Sequence, residues 1–357
     1  MPHFDIIRQA QPQKSFRVAS IMGTYDLQDN SVREHFVGDI SLPPPENWNV
    51  GLIVGASGTG KTTIARELFE DAYICNFEYS AESVLDDMPQ SASVQDICKT
   101  FSSVGFSSVP SWLKPYAVLS NGEKMRVDLA RALLSEKDLI VFDEFTSVVD
   151  RNVAKIGSFA TQKNIRRAKK HFIAVSCHYD IEEWLLPDWV FDTNSMTFRV
   201  CGEQKKNRPV CELRVYETNA KEYYWNIFKK HHYLSHNFNK AARVFVATLN
   251  GDLCAFSSVL PFPHPVVRNY WRDHRTVVLP DFQGLNIGLH ISVIIAEELK
   301  KQGKRYITTT SNIARIMQLI NDKRFKMKSL NRKSTNSGLS SLFCSSNRIT
   351  ASFIYVA

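Results

Sequence analysis

The sequence predicts an α/β fold for the first part of the chain and an α+β fold for the last part. Three short apolar segments, GLIVGAS, DLIVFDEF and HFIAVSCH, are separated by stretches with helical periodicity, which is typical of a mostly parallel sheet. Further along, ARVFVATLNGDLCAFSSVL has the pattern of two strands joined by a hairpin turn at Asn250-Gly251. We therefore expect an α/β domain followed by a second, α+β domain.

The length of 357 residues is enough for two domains that each bury a core. GEQKKNRP is polar, charged and ended by proline, so it is the predicted linker. The expected organisation is a first domain at 1–202, a linker at 203–211 and a second domain at 212–357.

Charge is distributed unevenly between these two parts. Residues 1–202 contain 20 Lys+Arg against 26 Asp+Glu, a net charge of −6, whereas residues 203–357 contain 24 against 10, a net charge of +14. Such a basic part indicates a polyanionic partner, and we expect nucleic acid, DNA or RNA.

The seven cysteines are scattered and form no C-x-x-C pair, which argues against a disulfide framework and a thiolate zinc site. No apolar run approaches the roughly 20 residues that span a bilayer, and the N-terminal segment lacks a signal-peptide pattern. We expect a soluble, cytoplasmic protein without a membrane partner.

The loop GASGTGKTT matches G-x-x-x-x-G-K-[ST] between a strand and a helix, the context that this motif requires. In such loops the backbone amides and the helix N-terminus cradle phosphates, the lysine reaches the β- and γ-oxygens, and the following hydroxyl ligates Mg²⁺. We expect a nucleoside triphosphate here, with Thr62 as a metal ligand. The predicted binding residues are Gly55, Ser57, Gly58, Gly60, Lys61, Thr62 and Thr63.

Four further segments follow this loop in a characteristic order. They are LSNGE at 119–123, Asp143-Glu144 after an apolar strand, SVVD at 147–150, and His178 after another strand. In this order they resemble the signature motif, Walker B motif, D-loop and switch histidine of the ATP-binding cassette (ABC) family, over roughly residues 15–200.

The resemblance implies ATP as the nucleotide and a role for each matching residue. Asp143 would hold Mg²⁺ through water, Glu144 would polarise the attacking water, and His178 would contact the γ-phosphate. Gln90 is the expected Q-loop residue, contacting nucleotide and metal. Tyr25 is a candidate for stacking on adenine.

In this family the signature of one subunit closes over ATP on another, so the resemblance implies a nucleotide-dependent homodimer. Ser120 and Gly122 would make that contact, while Asn121 replaces the usual first glycine. The short interval between Lys61 and Ser120 leaves room for a small helical subdomain. We expect the cassette to drive a conformational change rather than transport.

A second loop, QGLNIG at 283–288, follows the strand-like segment 276–279 and precedes a helix with apolar positions Ile287, Ile291, Ile294, Ile295 and Leu299. It resembles the acyl-CoA loop of the GNAT superfamily, Q/R-x-x-G-x-G/A, whose backbone amides hold a pyrophosphate. SN-x-A at 311–314 and Phe325 resemble the next strand end, helix and turn of that superfamily, and the resemblance spans roughly 212–330.

The resemblance implies acetyl-CoA or another acyl donor, with Gln283, Gly284, Asn286 and Gly288 as binding residues. Asn286 occupies the position of the loop's first glycine. Asparagine tolerates left-handed backbone angles, but its side chain points towards space that the phosphates need. A strand-turn-helix that uses its glycines only for packing is the alternative.

The segment KKHHYLSHNF contains His231, His232, Tyr233 and His236. Such a cluster suits a metal site or an acid-base group, but a substrate-lining or helix-capping role is the simpler interpretation. With the strand and loop HRTVVLPDFQGLNIG, it resembles the Mom-type branch of the GNAT superfamily, which modifies adenine in phage DNA. This resemblance implies that His232, Tyr233 and Arg275 line the reaction centre.

The chemistry such a site supports is attack of an amine on an activated acyl carbon, with His232, Tyr233 and Asp273 as candidates for proton transfer. We expect an ATPase-acyltransferase that modifies nucleic acid under ATP-dependent clamping. The alternatives are an ATP-regulated protein or small-molecule N-acetyltransferase, and a non-enzymatic nucleic-acid clamp.

Overall fold

The protein was analysed as a computed structural model, which describes residues 3–10, 15–26, 32–74, 77–201, 211–232, 237–263, 268–331 and 350–357. It contains two compact units. The first comprises Met1–Phe77, Lys137–Val148 and Ile165–Asn207, and the second comprises Glu78–Glu136, Val149–Asn164 and Arg208–Ala357.

Spatial packing therefore groups residues 78–136 with the C-terminal part of the chain. Units defined by spatial packing need not coincide with domains defined by sequence, so the boundaries 1–202, 203–211 and 212–357 stay a prediction. Residues 203–210 of the predicted linker lie outside the described residues.

A six-stranded sheet, of order β4-β5-β6-β3-β7-β8, forms the centre of the first unit. All neighbouring pairs are parallel except β7 and β8. The strands are β3 (Val50–Val54), β4 (Tyr73–Ile74), β5 (Leu139–Phe142), β6 (His171–Ser176), β7 (Trp189–Asp192) and β8 (Thr197–Val200). The three predicted strands are confirmed as β3, β5 and β6, and their mostly apolar sequences suit a sheet buried on both faces.

The remaining elements of the first unit flank this sheet. A separate antiparallel pair is formed by β1 (His3–Ala10) and β2 (Val32–Asp39). The helices are α1 (Phe16–Thr24), α2 (Lys61–Leu68) and α7 (Ile181–Leu185). One core cluster unites Phe4, Phe36, Ile53, Ile64 and Trp189.

The second unit begins with a group of helices. They are α3 (Val94–Ser103), α4 (Val109–Trp112), α5 (Asn121–Leu134) and α6 (Arg151–Ala168), whose last four residues belong to the first unit. The half-buried Asp128 of α5 accepts hydrogen bonds from the hydroxyls of Tyr79 and Tyr116, at 2.7 Å each, and these two rings stack on one another. This network fixes α5, and with it the segment that precedes the helix.

A seven-stranded sheet, of order β14-β15-β13-β12-β11-β10-β9, forms the rest of the second unit. Its strands are β9 (Leu213–Thr218), β10 (Arg243–Leu249), β11 (Asp252–Pro261), β12 (Tyr270–Val278), β13 (Arg305–Thr310), β14 (Phe325–Asn331) and β15 (Thr350–Tyr355). The helices are α8 (Lys221–Phe228), α9 (Ile287–Lys301) and α10 (Ile313–Asn321). The hairpin turn between β10 and β11 is confirmed, with positive φ at both Asn250 and Gly251.

Two strands of this sheet separate at the position that matters for function. The strands β12 and β13 are parallel but pair only from Tyr270 to Arg272, opposite Arg305 to Ile307. Beyond this point β12 and β13 no longer pair with each other, although each still pairs with its other neighbour. Two cavities lie beside the unpaired part. The predicted order of folds is confirmed: a mostly parallel α/β sheet with the glycine-rich loop after β3 is followed by an α+β sheet.

The helix α9 buries the predicted apolar face, with one correction. Ile287, Ile291, Ile295 and Leu299 lie in a core cluster with residues of the sheet, whereas Ile294 is 37% exposed. These four positions, each four residues after the last, define the face, and Ile294 lies at its edge because it is rotated by about 100° around the helix from Ile295. Within the described part of the chain, no helix is both long and apolar enough to cross a membrane.

Candidate nucleotide and acyl-donor sites

The glycine-rich loop between β3 and α2 has the geometry of a phosphate cradle. Gly58 and Gly60 have φ of 84° and 83°, which only glycine adopts without strain, and a Cβ at Gly60 would lie 2.5 Å from the Phe36 ring. Lys61 is buried, and its Nζ donates to the Ala56 carbonyl at 2.6 Å. The ammonium is thereby folded over the loop, where the predicted phosphates would lie.

The ends of neighbouring strands bring the other predicted nucleotide residues to the same edge of the sheet. Asp143 and Glu144 follow β5, and His178 lies two residues after β6, whose neighbour on the other side is β3. The carboxyl ends of parallel strands meet at one edge, so these side chains and the P-loop share it. Glu144 is exposed and has φ of 51°, and its amide donates to Asp143 Oδ1 at 2.8 Å.

Asp143 has a partner that the sequence did not suggest. The hydroxyl of Tyr73, on β4, donates to Asp143 Oδ2. Burial, and next the hydrogen bond to Asp143, raise the pKa of the Tyr73 phenol, so the hydroxyl stays protonated at neutral pH. β4 is parallel to β5, with Tyr73 opposite Val141 and Ile74 opposite Phe142, so the Tyr73 side chain starts two residues before Asp143 and reaches along the strand to its carboxylate.

The residues present fit Mg²⁺ with ATP. A hydroxyl at Thr62 and a carboxylate at Asp143 are hard oxygen ligands of the kind that Mg²⁺ prefers, and few protein ligands suffice when phosphates supply the rest. Among the described residues no three His, Cys, Asp or Glu side chains converge as a metal site. The role of Gln90 stays a prediction: it is exposed and belongs to the second unit. That of Tyr25, which is 69% exposed, also stays a prediction.

The segment resembling the signature motif caps the helix α5. Ser120 Oγ accepts from the Glu123 amide at 3.3 Å, and the Glu123 carboxylate accepts from the Ser120 amide at 3.0 Å, forming a capping box. A Cβ at Gly122 would lie 3.4 Å from Val153 and 3.5 Å from Arg126 Nη1. The signature glycine therefore lies directly beside a buried guanidinium.

The second loop also presents free backbone donors at a helix start. Gly284 has φ of 90°, and Asn286 is the residue before α9, with φ of 63°. The amides of Leu289 and His290 donate to the Asn286 carbonyl, and that of Gln283 to Pro280. None of the five amides from Gly284 to Gly288 donates a hydrogen bond to a backbone carbonyl of the described residues. Such a run of amides is what an anion at a helix N-terminus requires.

Asn286 is accommodated by a contact with α10. The expected left-handed backbone is confirmed, and its Oδ1 accepts a hydrogen bond from Gln318 Nε2 at 3.1 Å. The side chain is thus held towards α10. Gly288 has open space, since a Cβ there would have no neighbour nearer than 3.7 Å. The predicted strand end and helix after β13 are also confirmed, with Asn312 capping α10 through the Arg315 amide.

A cavity of about 280 Å³ lies against this loop. Its lining includes the loop from Gln283 to Gly288, the β12 residues Asp273 to Val278, and the β13 residues Thr308 to Thr310. A second cavity, of about 630 Å³, is lined by Tyr270, Phe262, Arg272, Lys328 and others. Asp273, His274, Arg275 and Thr309 line both cavities, and therefore stand between them.

Asp273 is a carboxylate held by two hydroxyls. Thr276 Oγ1 donates to Oδ1 at 3.0 Å and Thr308 Oγ1 donates to Oδ2 at 3.1 Å. Burial raises the pKa of Asp273, while Arg315, the two hydroxyls and Arg275 act in the opposite direction. A raised pKa brings a carboxylate closer to the operating pH, where general bases work best.

The histidine segment is brought to the same cavity. His232 is buried, packs against Trp225 at 5.8 Å between ring centroids, and lines the cavity with His231. Burial lowers the pKa of His231, as does Lys230, whereas Asp281 and Glu123 raise it. Tyr233 and His236 lie outside the described residues, so the role of Tyr233 and a metal site with His236 stay predictions.

Sequence reasoning missed His274. It is the extra residue of a β-bulge, because Val259 and Ser258 of β11 oppose Asp273 and Arg275 of β12. Its Nε2 accepts from the Asn239 amide at 3.4 Å, and burial with the charges of Arg275 and Arg272 lowers its pKa to about 4. The imidazole is neutral at pH 7. A bulge has no clear sequence pattern here, so nothing local could have indicated it.

The loop after β3 and the carboxylates after β5 define a P-loop ATPase site. The family model described as ABC transporter matches residues 69–147. A probable metal transport system ATP-binding protein of Thermotoga maritima is 34% identical over 183 residues, 44% of this chain and 72% of that protein. The chain belongs to the ABC family. Membership implies ATP and Mg²⁺ as ligands and ATP hydrolysis as an activity.

Further similarities either cover a smaller share of the compared protein or have a lower sequence identity. The mRNA export factor elf1 of Schizosaccharomyces pombe is 31% identical over 139 residues, and the match spans 32% of this chain and only 13% of that protein. A post-hydrolysis ATP-binding cassette dimer with ADP and Pi gives a TM-score of 0.37 at 14% identity, covering 53% of this chain and 92% of that one. The ribosomal-protein-S18-alanine N-acetyltransferase of Escherichia coli gives a TM-score of 0.31 at 15% sequence identity. This match covers 40% of this chain and 93% of that one. Both superpositions are too weak to carry an argument about function.

Proposed function

We propose that the protein is an ATP-hydrolysing cassette joined to an acyltransferase that modifies a base amine in nucleic acid. The observation that carries the acyltransferase proposal is the position of Asp273, which lines two cavities. The smaller cavity lies against the loop from Gln283 to Gly288, and the larger one is lined by Phe262 and Tyr270. A donor and an acceptor bound in the two cavities would meet at this carboxylate.

The donor proposed for the smaller cavity is an acyl-CoA thioester. The loop from Gly284 to Gly288 would bind its diphosphate through backbone amides at the start of α9. The side chain of Asn286 does not prevent this, because Gln318 holds it towards α10. The parting of β12 from β13 after Arg272 would leave room for the acyl arm between the strands.

The transfer step needs a base and a group that stabilises an oxyanion. The acceptor amine would attack the thioester carbon, forming a C–N bond and breaking the C–S bond, and the departing sulfur takes a proton. Asp273 would accept the proton released by the amine, with His232 and Tyr233 as further candidates. The bulge at His274 would direct backbone amides of β12 towards the carbonyl oxygen.

The acceptor proposed for the larger cavity is a nucleotide unit of DNA or RNA. Its lining combines rings of Phe262 and Tyr270, on which a base could stack, with the cations Arg272, Arg275 and Lys328. The net charge of +14 in residues 203–357 supports a polyanionic substrate. The sequence resemblance of residues 229–238 and 274–288 to Mom-type enzymes makes adenine the proposed base.

The cassette would act as an ATP-driven clamp. Ser120 and Gly122 of one chain would close over ATP bound at the P-loop of a second copy, as in the family's sandwich dimers. Two weakly binding basic units held together bind a polymer more tightly, because the second contact becomes intramolecular. Gln90, Asp143 and His178 would complete the nucleotide site in the roles that the family gives them.

The test is mass spectrometry of DNA and RNA after incubation with the protein, acetyl-CoA and Mg-ATP. We expect a mass gain of one acyl group on a base, absent without acetyl-CoA and reduced in the Lys61→Ala variant. Acylation of added proteins or polyamines instead of nucleic acid would replace the proposed acceptor. Nucleic-acid binding without any product would favour a non-enzymatic clamp.

A further inference from the structure

The proposed acyl-donor loop is packed against two helical segments of the second unit, one before and one after the Walker B motif in the sequence. Gly284 has no room for a side chain, since a Cβ there would lie 3.2 Å from the Ala160 Cβ, the Gly105 amide and the Ser103 carbonyl. Gly105, with φ of 89°, is equally confined: a Cβ there would lie 2.8 Å from the Gln283 carbonyl. Two glycines therefore allow one backbone to touch the other.

Hydrogen bonds fix this contact in register. The amide of Ser107 donates to Gln283 Oε1 at 2.9 Å, and Gln283 Nε2 donates to the Val278 carbonyl at 3.0 Å. One side chain thus joins the segment after α3 to the end of β12. Asn164 of α6 supports the same segment by donating to the Ser103 carbonyl at 2.7 Å.

The apolar packing is continuous across this contact. Ile156 of α6 lies in the same buried cluster as the apolar face of α9, and α3 packs against α10. Ser102 and Ser107 line the smaller cavity together with residues of the loop. The cavity is therefore lined both by the segment 102–107, at the end of α3 and just after it, and by residues of the seven-stranded sheet and its loops.

One charged residue connects the loop to the signature motif. The Arg126 side chain is 3% exposed and forms an ion pair with Asp281, at 3.9 Å, just before the loop. Among the described residues its Nη2 has no hydrogen-bond partner, and its Nη1 lies 3.5 Å from the Cβ that Gly122 would carry. The guanidinium stands between the signature glycine and the loop.

Burial lowers the pKa of Arg126, and the carboxylates of Asp281, Glu123 and Asp150 oppose this shift. An arginine nevertheless remains charged in proteins. A buried cation whose counter-charges lie on the signature helix, on the start of α6 and before the donor loop must respond when any one of them moves.

We propose that the acyl-donor site is a composite one, in which Arg126, Asp281 and Gln283 position the diphosphate loop according to the state of the signature motif. The inference rests on the proposed binding of CoA by that loop. When the signature helix is clamped on a nucleotide, Arg126 and the segment 103–107 are fixed, and the loop is preorganised for the donor. ATP then tightens donor binding because less conformational freedom is lost on association.

The experiment measures the Kd of CoA for the full-length Glu144→Gln chain by calorimetry, with and without Mg-ATP. We expect ATP to lower this Kd by about fivefold or more, a coupling typical between two sites. Linkage requires saturating CoA to lower the Kd of ATP by the same factor. This reciprocity needs no substitution in the contact itself.

Asp281→Asn in the Glu144→Gln chain tests whether the ion pair with Arg126 carries the coupling, without removing the proposed CoA site. Asp281 is 55% exposed in its side chain, so the change keeps the loop's backbone and removes only the charge that faces Arg126. We expect the coupling factor to fall towards one while CoA still binds without ATP. Glu212→Gln is the matched control, because it removes an exposed ion pair with Arg214 elsewhere in the unit and should leave the factor unchanged.

The outcomes distinguish the inference from the function on which it rests. No CoA binding to any form of the chain overturns the proposed donor. CoA binding with the same Kd in both nucleotide states overturns the composite site and leaves the donor in place. Coupling that survives in Asp281→Asn removes the ion pair from its role.

Discussion

Thr308 Oγ1, on β13, donates a hydrogen bond to Asp273 Oδ2, on β12, at 3.1 Å, where the two parallel strands have already ceased to pair. A side chain thus bridges two strands whose backbones no longer hold each other. The carboxylate is fixed between two cavities by Thr308 on one side and Thr276 on the other.

Asp273→Asn should reduce acyl transfer by about 100-fold or more, because a positioned general base contributes roughly 10²–10⁴. Burial raises the pKa of Asp273, so the folded state binds its proton more tightly than the unfolded state. That contribution to stability is present at low pH and is lost as pH rises through the folded pKa. The variant should therefore unfold at an equal or higher temperature at pH 7.

Thermal unfolding and single-turnover acetylation with the purified chain check this prediction. Glu297→Gln is the control, since Glu297 is exposed, accepts a hydrogen bond from Tyr355 and lines neither cavity. A fully active Asp273→Asn chain would transfer the role of the base to His232 or Tyr233.

Tyr73→Phe should raise the Mg²⁺ concentration needed for half-maximal ATP hydrolysis, because it weakens Mg²⁺ binding at Asp143. Tyr73 donates to the carboxylate that would hold the metal, and removing such a partner typically costs about 10–100-fold in metal affinity. The measurement is an Mg²⁺ titration of ATPase rate. Tyr355→Phe, which removes a hydroxyl bonded to Glu297 in the second unit, should leave the midpoint unchanged. Equal midpoints for wild type and Tyr73→Phe would show that the hydroxyl does not orient Asp143.

Glu144→Gln should retain ATP while losing hydrolysis by about 100-fold or more, as expected for loss of a general base. Glu144 is exposed at the strand end, so the change should not disturb folding. Phosphate release and ATP binding are measured on the same sample, with the exposed Glu183→Gln as control. Light scattering would show whether the trapped ATP state is a dimer. Undiminished hydrolysis would assign the attacking water to another residue.

Parts of this site were predictable because they depend on local sequence. The P-loop, the carboxylates after β5, and the loop at 283–288 follow from spacing and from the strand or helix beside them, so they were found. The left-handed Asn286 was predictable from its backbone tolerance alone. Tyr73, Thr308 and Gln318 were not, because their roles depend on contacts with residues far away in the sequence.

The bulge at His274 and the buried Arg126 show a second limit. A bulge shifts the register by one residue without a sequence pattern, so His274 could not be assigned to a face of β12. Arg126 sits in a helical run where a basic residue is usually exposed, and only the packing reveals that it is buried.

Asn286→Asp should raise the Kd of CoA by about tenfold or more, whereas Asn286→Gly should not. Aspartate has the size of asparagine, tolerates the same backbone angles and still accepts from Gln318, but it adds a negative charge next to the amides that would hold a diphosphate. Gly288→Glu should also abolish binding by adding bulk and charge. Calorimetry with CoA gives the three values. Equal affinities for the Asp and Gly variants would place the diphosphate elsewhere.

Stability should fall as pH decreases from about 6.5 towards about 4, partly because of His274. Its pKa is lowered to about 4 in the folded state, so the unfolded state binds the proton first. The contribution is present above pH 6.5 and is lost on acidification. Urea unfolding at pH 7 and pH 5 should show a smaller difference for His274→Gln than for wild type. His3→Gln, at an exposed position, should match wild type, and a His274→Gln chain that also matched it would assign the loss to other groups.

Arg272→Ala with Lys328→Ala should weaken nucleic-acid binding and flatten its salt dependence. Both residues line the larger cavity, and each phosphate contact contributes about −0.7 to −0.9 to the slope of log K against log salt. If both cations contact phosphates, the slope should become less steep by about 1.4–1.8. The measurement is fluorescence anisotropy of single-stranded and double-stranded DNA and of RNA at several salt concentrations. Lys301→Ala is the control for charge, since Lys301 is exposed on α9 and pairs with Glu298 away from the cavity. A slope that changes equally in the control and the double variant would show that net charge, and not this cavity, binds the polymer.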